Sequence, residues 1–248
     1  MVNYMKFLGT RAKCDLHIHT TLSPCGDIEM TPLNIISKAK ERDLAIIGIT
    51  DHNSTLQSRY IWETGQREGV MVLCGAEITT REEVHVLAFV DGKEALDALQ
   101  EYLNRTLVRI PNNVDIFGYQ LVVNEQEEVI YQEESLLTNT TDQSIEEVEQ
   151  FVHSLGGIFI PAHIDKQQNS ILSQLGFLPP SLSVDALELS SHCNIDKFIS
   201  DNSYLSKRAF IRSSDAHYPQ DIGKCFVELE ISDITFNSIK SALNLLKR

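Results

Sequence analysis

Cys14-Asp15-Leu16-His17-Ile18-His19-Thr20 is the stretch on which the reading of this 248-residue chain turns. In an extended strand successive side chains point to opposite faces. Asp15, His17 and His19 then share one side, and Cys14, Leu16 and Ile18 the other. Two imidazoles project together, and neutral imidazole nitrogen is a common ligand for zinc, iron, copper and nickel. Taken alone, the run is equally compatible with two surface histidines on a half-buried strand. What decides between the two is the rest of the chain.

Downstream, residues 20–27 form a polar loop punctuated by Pro24 and Gly26. The spacing predicts a helix over 30–42, with Thr31 as N-cap, Pro32 at the first helical position, and Leu33, Ile36, Ala39 and Lys40 at helical intervals. Residues 44–50 are a continuous apolar run, as expected of a strand buried on both faces, and they end in Asp51-His52-Asn53. A helix over 55–68 and a strand over 70–76 follow, the strand ending at Glu77. Residues 84–89 add a strand with His85 inside an apolar run, where a histidine without a partner would be costly. Strands alternating with helices predict a parallel α/β sheet or barrel. In such folds the active site gathers at the C-terminal ends of the strands.

A helix over 93–108 opens a different region. Residues 111–139 turn polar and acidic, with two β-prone runs, 119–124 and 128–131, flanking Gln126-Glu127 as in a hairpin. The reading is one domain over 1–248, decorated by an insertion at about 92–140. The earlier rhythm resumes with a helix over 142–154 and a strand over 158–162 running into His163. A short helix over 170–175, a strand over 186–190 and a helix over 198–206 follow. The strand over 210–214 closes on Asp215-Ala216-His217, and a last strand over 225–229 precedes a terminal helix over 235–247.

Composition narrows the partners. The chain carries 35 acidic against 21 basic residues, a net charge of -14, with no basic run longer than Lys247-Arg248. That argues against an extended nucleic acid, which needs clustered Lys and Arg, although bound cations would offset part of the charge. The expected partner is a small phosphorylated substrate; the oligomeric state is left open. Five cysteines, Cys14, Cys25, Cys74, Cys193 and Cys225, are odd in number and include no Cys-x-x-Cys pair. Reduced thiols in the cytoplasm are the simplest account. The N-terminal residues lack an apolar signal region and no run reaches 18 apolar residues, so no membrane association is expected.

Taken in order, Asp15-x-His17-x-His19, Thr50-Asp51-His52, Glu77, His85, Pro161-Ala162-His163 and Ser214-Asp215-Ala216-His217 resemble the motifs of the PHP superfamily. That superfamily joins polymerase-associated domains and histidinol phosphatases. The resemblance runs from residue 14 to 217, with 92–140 outside the common core. It implies a distorted (β/α)7 TIM-like barrel with two to three divalent metal ions, zinc, manganese or iron, at the strand C-termini. By position, His17, His19, Glu77 and Asp215 would hold the first ion. Glu77, His85 and His163 would hold the second, with Glu77 bridging. His52 and His217 would hold the third, with one more ligand from the loop after His19. There the sequence departs from the plainest family patterns and offers Cys25 or Asp27. Thiolate favours zinc and carboxylate suits manganese or iron; Asp27 is preferred.

The implied catalytic set is Glu77, Asp215, His217, Asp51 and Arg81. Asp51 and Asp15 are expected to fix ligand tautomers, a strand-end or capping role being the alternative for both. Arg81 is expected to grip a substrate phosphate by bidentate hydrogen bonds, with Lys166 as a further cation. His192 is a candidate for the cleft, and His153 stays outside the site. The chemistry stands on physical grounds too: two cations about 3.5–4 Å apart acidify a bridging water and clamp the phosphoryl oxygens. The implied function is a metal-dependent phosphoesterase acting on a phosphomonoester or short nucleotide. A 3′-5′ or 5′-3′ exonuclease of the same chemistry is the alternative. A catalytically inactive metal-binding interaction module ranks below it, because every implied ligand but the loop residue is present.

Overall fold

β1 (Thr10–Ile18), α1 (Pro32–Glu41), β2 (Ile46–Ile49), α2 (Ser58–Glu68) and β3 (Met71–Thr79) alternate as the apolar runs predict. The computed structural model describes residues 10–246, so the N-terminal segment and the Lys247-Arg248 pair lie outside the described residues. β4 (His85–Val90), α3 (Lys93–Thr106), α4 (Val114–Phe117), β5 (Leu121–Val123), β6 (Val129–Gln132) and α5 (Ile145–Ser154) follow. The chain closes through β7 (Ile158–Pro161), α6 (Ile171–Leu175), β8 (Leu187–Leu189), α7 (Ile195–Asp201), β9 (Phe210–Arg212), β10 (Val227–Ile231) and α8 (Phe236–Leu245). α1 starts where expected, but its Thr31 hydroxyl makes no capping bond; Pro32 at the first position marks the start instead.

Six strands form one sheet in the order β10-β1-β2-β3-β4-β7. β1, β2 and β3 pair in parallel, as expected, whereas β4 runs antiparallel to β3, and β7 antiparallel to β4. The physical reason is the connector. Only residues 80–84 join β3 to β4, and a parallel return needs a dozen or more. His85 therefore begins its strand rather than ending it, opposite Thr79 in the register. That reversal keeps it at the same sheet end as Glu77.

β8 and β9 form a separate parallel pair. Hydrogen bonds from Ile164 N to Glu188 O (2.8 Å) and Asp185 N to Phe159 O (3.0 Å) attach it beside β7. His19 N to Ala216 O (2.9 Å) and Ala216 N to His17 O (3.1 Å) bring the segment after β9 against β1. The result is an α/β fold with a curled half-barrel sheet of the TIM-like kind. Leu16, Leu87, Phe89, Ile158 and Ile160 pack together within it, each large side chain contributing about 1.5–3 kcal/mol by its burial. Phe89 fits because Gly75 lacks a side chain: a Cβ there would stand 2.7 Å from the ring and 2.0 Å from the Ala88 carbonyl oxygen.

β5 and β6 pair antiparallel. Residues 107–141 do more than decorate the surface, because they are tied to three strand-end loops. Leu121 N donates to Thr21 O (2.8 Å) after β1, and the Gln57 amide exchanges two bonds with the Val123 backbone after β2. Asn53 Nδ2 donates to Leu137 O (2.8 Å) and Asn139 O (2.7 Å), while its Oδ1 accepts from Thr79 N (3.0 Å) at the end of β3. Among the described residues no helix is long and apolar enough to cross a membrane.

Candidate metal centre

β1 delivers His17 and His19 to the sheet end, both with no exposed surface, while Leu16 and Ile18 pack into the core. Their Nε2 atoms stand 3.2 Å apart. Each lies 3.4 Å from Asp215 Oδ1, and each also lies 3.4 Å from a Glu77 oxygen. His85 Nδ1 (2.9 Å) and His163 Nε2 (3.2 Å) approach Glu77 Oε1, and His52 Nδ1 (3.1 Å) approaches Oε2. One carboxylate thus faces five imidazoles. The backbone is bent to allow it: Asn53 (φ 45°), His163 (φ 31°) and Asp215 (φ 53°) all adopt the left-handed region, at about 1–3 kcal/mol each.

Several groups outside this ring orient it. Glu188 accepts from His17 Nδ1 (3.0 Å), and Asn169 Nδ2 lies 2.7 Å from His85 Nε2. Ser23 gives its one hydroxyl proton to Asp51 (2.7 Å), so it accepts from His19 Nδ1–H (2.9 Å). With Nδ1 of both His17 and His19 donating outward, two Nε2 lone pairs face each other beside two carboxylates. Only a positive charge between them relieves the repulsion. His163 Nδ1 and His52 Nδ1 are buried and have no hydrogen-bond partner, His52 Nδ1 because its approach to Glu77 is not aligned as a bond. The donor set therefore fits divalent cations, and three groups, His17/His19/Glu77, His52/Glu77/His85 and His19/Cys25/His52/His217, each bring their ligand atoms within 4.8 Å.

The electrostatics agree. Burial works against charge on His17, but Glu188, Asp215 and Glu77 outweigh it and hold the imidazole well above its ordinary value. Burial pushes Glu77 up, and the facing His85 and His17 more than reverse this, holding its carboxyl well below the usual range. Asp215 is held low in the same way, against burial, by His17 and His19. The carboxylates that hold the proton on His17 would favour a cation there for the same reason, whereas burial and the facing His217 push His19 well down and burial pushes His85 down, which keeps both as neutral imidazoles.

Asp27 does not join the centre. Its carboxylate accepts from Glu29 N (2.8 Å), and its N–H donates to His217 O (2.8 Å). Cys25 comes in instead. The turn closed by Gly26 N to Ser23 O (2.9 Å) folds the loop back, so close that a Cβ at Gly26 would meet Thr20 O at 2.2 Å. Burial raises the Cys25 thiol, but the neighbouring His217 and His52 imidazoles outweigh it and bring it to about 7.

Arg81 also stays away from the ring. It donates to Asp142 O (3.4 Å) and lies within 4.0 Å of Glu82 and Glu147, because the β3–β4 turn faces the acidic start of α5. Lys166 does reach the centre, with Nζ 2.7 Å from Asp215 Oδ2. Asp15 touches no imidazole: it accepts from Ser214 N (2.9 Å) and Gly223 N (2.8 Å), bracing the loop that carries Asp215. Asp51 accepts from Thr20 N, Thr20 Oγ1 and Ser23 Oγ, so it acts on His19 only through Ser23. His192 is exposed and outside the three groups, and His153 bridges Glu149 and Asp185 elsewhere. Glu188, Ser23 and Asn169 are the participants that motif reading misses. Glu188 had a readable signal, a charge inside the apolar run Ala186-Leu187-Glu188-Leu189, of the same kind as His85.

The strand ends of this α/β half-barrel gather six histidines, two carboxylates and a thiol, a donor set that could hold metal ions. Residues 15–169 match the PHP domain, and the chain belongs to that family. The lesion-specific endonuclease PfuEndoQ of Pyrococcus furiosus shares the fold with a TM-score of 0.70 at 19% identity, over 95% of this chain and 56% of that one. A protein of Bifidobacterium adolescentis designated a metal-dependent phosphoesterase gives a TM-score of 0.62 at 18% identity, over 95% and 96% of the two chains. In sequence, the phosphoribosyl 1,2-cyclic phosphate 1,2-diphosphodiesterase of Eggerthella lenta is 32% identical over 92 residues, 34% of this chain and 34% of that protein. The match to each of the curated relatives spans less than half of that relative's length.

One expectation is overturned here. The acidic balance argued against an extended nucleic acid, yet an Endonuclease Q structure with a TM-score of 0.70 and 20% identity holds a 27-mer duplex with an abasic lesion at the active site. Net charge sums the whole surface. It does not exclude a polyanion at a centre whose own charge depends on bound cations.

Proposed function

We propose that this chain is a metal-dependent phosphoesterase. The observation that carries the reading is the Glu77 carboxylate facing five imidazoles, two of which keep a buried nitrogen without a hydrogen-bond partner. His17, His19, Glu77 and Asp215 would hold one divalent ion, Glu77, His85 and His163 a second, and Cys25, His52 and His217 a third. When bound, such ions acidify a water to hydroxide near neutral pH and neutralise phosphoryl oxygens. The protein's own part is to keep the ring nitrogens aimed inward through Glu188, Ser23 and Asn169, and to offer Lys166 as a donor to a phosphate oxygen. The same reading takes β1, β2, β3, β4, β7, β8 and β9 as a distorted (β/α)7 barrel, supported by the hydrogen bonds that attach β8 beside β7 and by the pairing of β9 with β8.

For the substrate we favour a phosphomonoester or short nucleotide, which Lys166 and the cations suffice to hold. Phosphodiester cleavage in a nucleic acid is the second reading, favoured by the fold shared with Endonuclease Q. The test is a panel of phosphomonoesters, a cyclic phosphodiester, single-stranded DNA and abasic duplex DNA, assayed with manganese, zinc and iron. Chelator-sensitive turnover of one class, restored by metal, is expected. Protein loaded with about two to three ions per chain that cleaves nothing on the panel would defeat the enzyme reading in favour of an interaction module.

A further inference from the structure

The outer part of the centre differs from the inner part in its ligand chemistry. Cys25 lies with His52 and His217, and their ligand atoms, with one from His19, fall within 4.8 Å of one another. His19 has only one lone pair to give. Its Nδ1 is bonded to Ser23, and its Nε2 faces His17, Glu77 and Asp215 at 3.2–3.4 Å. That leaves Cys25, His52 and His217 as a set of one sulfur and two nitrogens. His217 Nδ1 donates to Asp215 O (2.9 Å), which frees its Nε2 to serve as a ligand. His52 Nδ1 stands 3.1 Å from Glu77 Oε2 without an aligned bond, and the ring brings a ligand atom within reach of Cys25 and His217.

The set is built from two loops tied together. Asp27 N donates to His217 O (2.8 Å), and Met30 N to Asp27 O (3.0 Å), so the loop carrying Cys25 is fastened to the one carrying His217. The inner positions are different, each mixing imidazole with carboxylate oxygen from Glu77 or Asp215. Soft thiolate selects zinc, whereas carboxylate and water suit manganese, and a zinc site of three protein ligands keeps a fourth position open.

We infer that Cys25, His52 and His217 form a zinc-selective site with an open fourth position, so that the outer ion differs in kind from those the inner positions accept. This rests on the reading of the cluster as a metal centre. Binding converts the Cys25 thiol to a zinc-bound thiolate, and the displaced proton goes to solvent. The other cysteines do not enter the three candidate groups, so a sulfur–metal signature is assignable to Cys25.

The test strips the full chain with a chelator and reloads it with cobalt(II), which reports a thiolate ligand by a sulfur-to-cobalt charge-transfer band in the near ultraviolet. Wild type should show the band, and Cys25→Ser should lose it. Cys25→Asp should retain an outer ion without the band and exchange zinc for manganese in a mixture of the two, read by elemental analysis. Cys25 sits on an exposed loop, and circular dichroism checks that the variants fold. Cobalt-loaded wild type without the band, or a band of equal strength in Cys25→Ser, would overturn the inference. Neither readout needs turnover. A Cys25-dependent band in a protein that cleaves no phosphoester defeats the phosphoesterase reading alone, and turnover by fully loaded protein without a band defeats the zinc assignment alone.

Discussion

Glu77 and Asp15 are both buried carboxylates, 1% and 0% exposed, yet their surroundings are opposite. Asp15 meets the backbone amides of Ser214 and Gly223, and burial pushes its carboxyl up to about 6. Glu77 meets imidazoles from β1, β4 and the loops after β2 and β7, and is held far down despite the same burial. The cost of burying a carboxylate is met by neutral donors in one region and by positive charge in the other. The first arrangement braces a scaffold. The second is the arrangement that would attract cations, and on the proposed function it is the one chemistry would use.

Breaking the charged side should have the largest effect. Glu77→Gln keeps shape but removes the charge that two ions would share. Loss of both would remove several kcal/mol of transition-state stabilisation, so turnover should fall by about a thousandfold or more. Elemental analysis should find metal lost as well, and His17→Ala or Asp215→Asn should also lower it. A Glu77→Gln protein that hydrolyses phosphoesters at the wild-type rate would sink the bridging role.

Next in size is Glu188→Gln, which leaves the ring of ligands intact but weakens the hold on His17 Nδ1. Removal of such an outer partner costs about 10–100-fold in metal affinity. Titration of stripped protein with zinc or manganese checks it, and unchanged affinity would make Glu188 a brace of the Asp15 kind.

The gathering of these candidate ligands at one sheet end was largely legible in the sequence because they end or begin apolar strands, where a polar side chain has few other reasons to be. His17, His19, His52, Glu77, His85, His163, Asp215 and His217 all follow that logic. The loops did not yield to it. Whether Cys25 or Asp27 points inward depends on a four-residue turn, and periodicity carries no information about turns. The β3–β4 reversal, by contrast, was available from the connector length alone. Asp15 failed for a subtler reason: sharing a strand face with His17 does not ensure sharing its partners.

The smaller effects test the scaffold. Asn53 links the end of β3 to Leu137 and Asn139 while holding a left-handed φ next to His52. Asn53→Ala should cost about 1–3 kcal/mol in thermal or urea unfolding through its unpaired buried groups. Asn53→Gly relieves the backbone but not the hydrogen bonds, so it should recover only part of the loss. Full recovery would show that the conformation alone matters.

Asp15→Asn should have the least effect on activity, and its signature is in pH. The folded carboxyl titrates near 6 because of burial, against about 3.9 for an unfolded aspartate. Between those values the folded chain binds more protons than the unfolded chain, so this group's contribution to stability declines as pH rises, by about 3 kcal/mol across the window. Asparagine has no such titration. It keeps one acceptor for Ser214 or Gly223 and turns an NH2 against the other amide, a loss of about 1–3 kcal/mol that does not vary with pH. Wild type should therefore be the more stable protein near pH 4, and its advantage should shrink or reverse by about pH 6, with metal content unchanged in both. Urea unfolding at closely spaced pH values measures the difference. A gap that stays constant across the window, or metal lost from Asp15→Asn, would mean that Asp15 is coupled to the cations after all, and the contrast with Glu77 would fail.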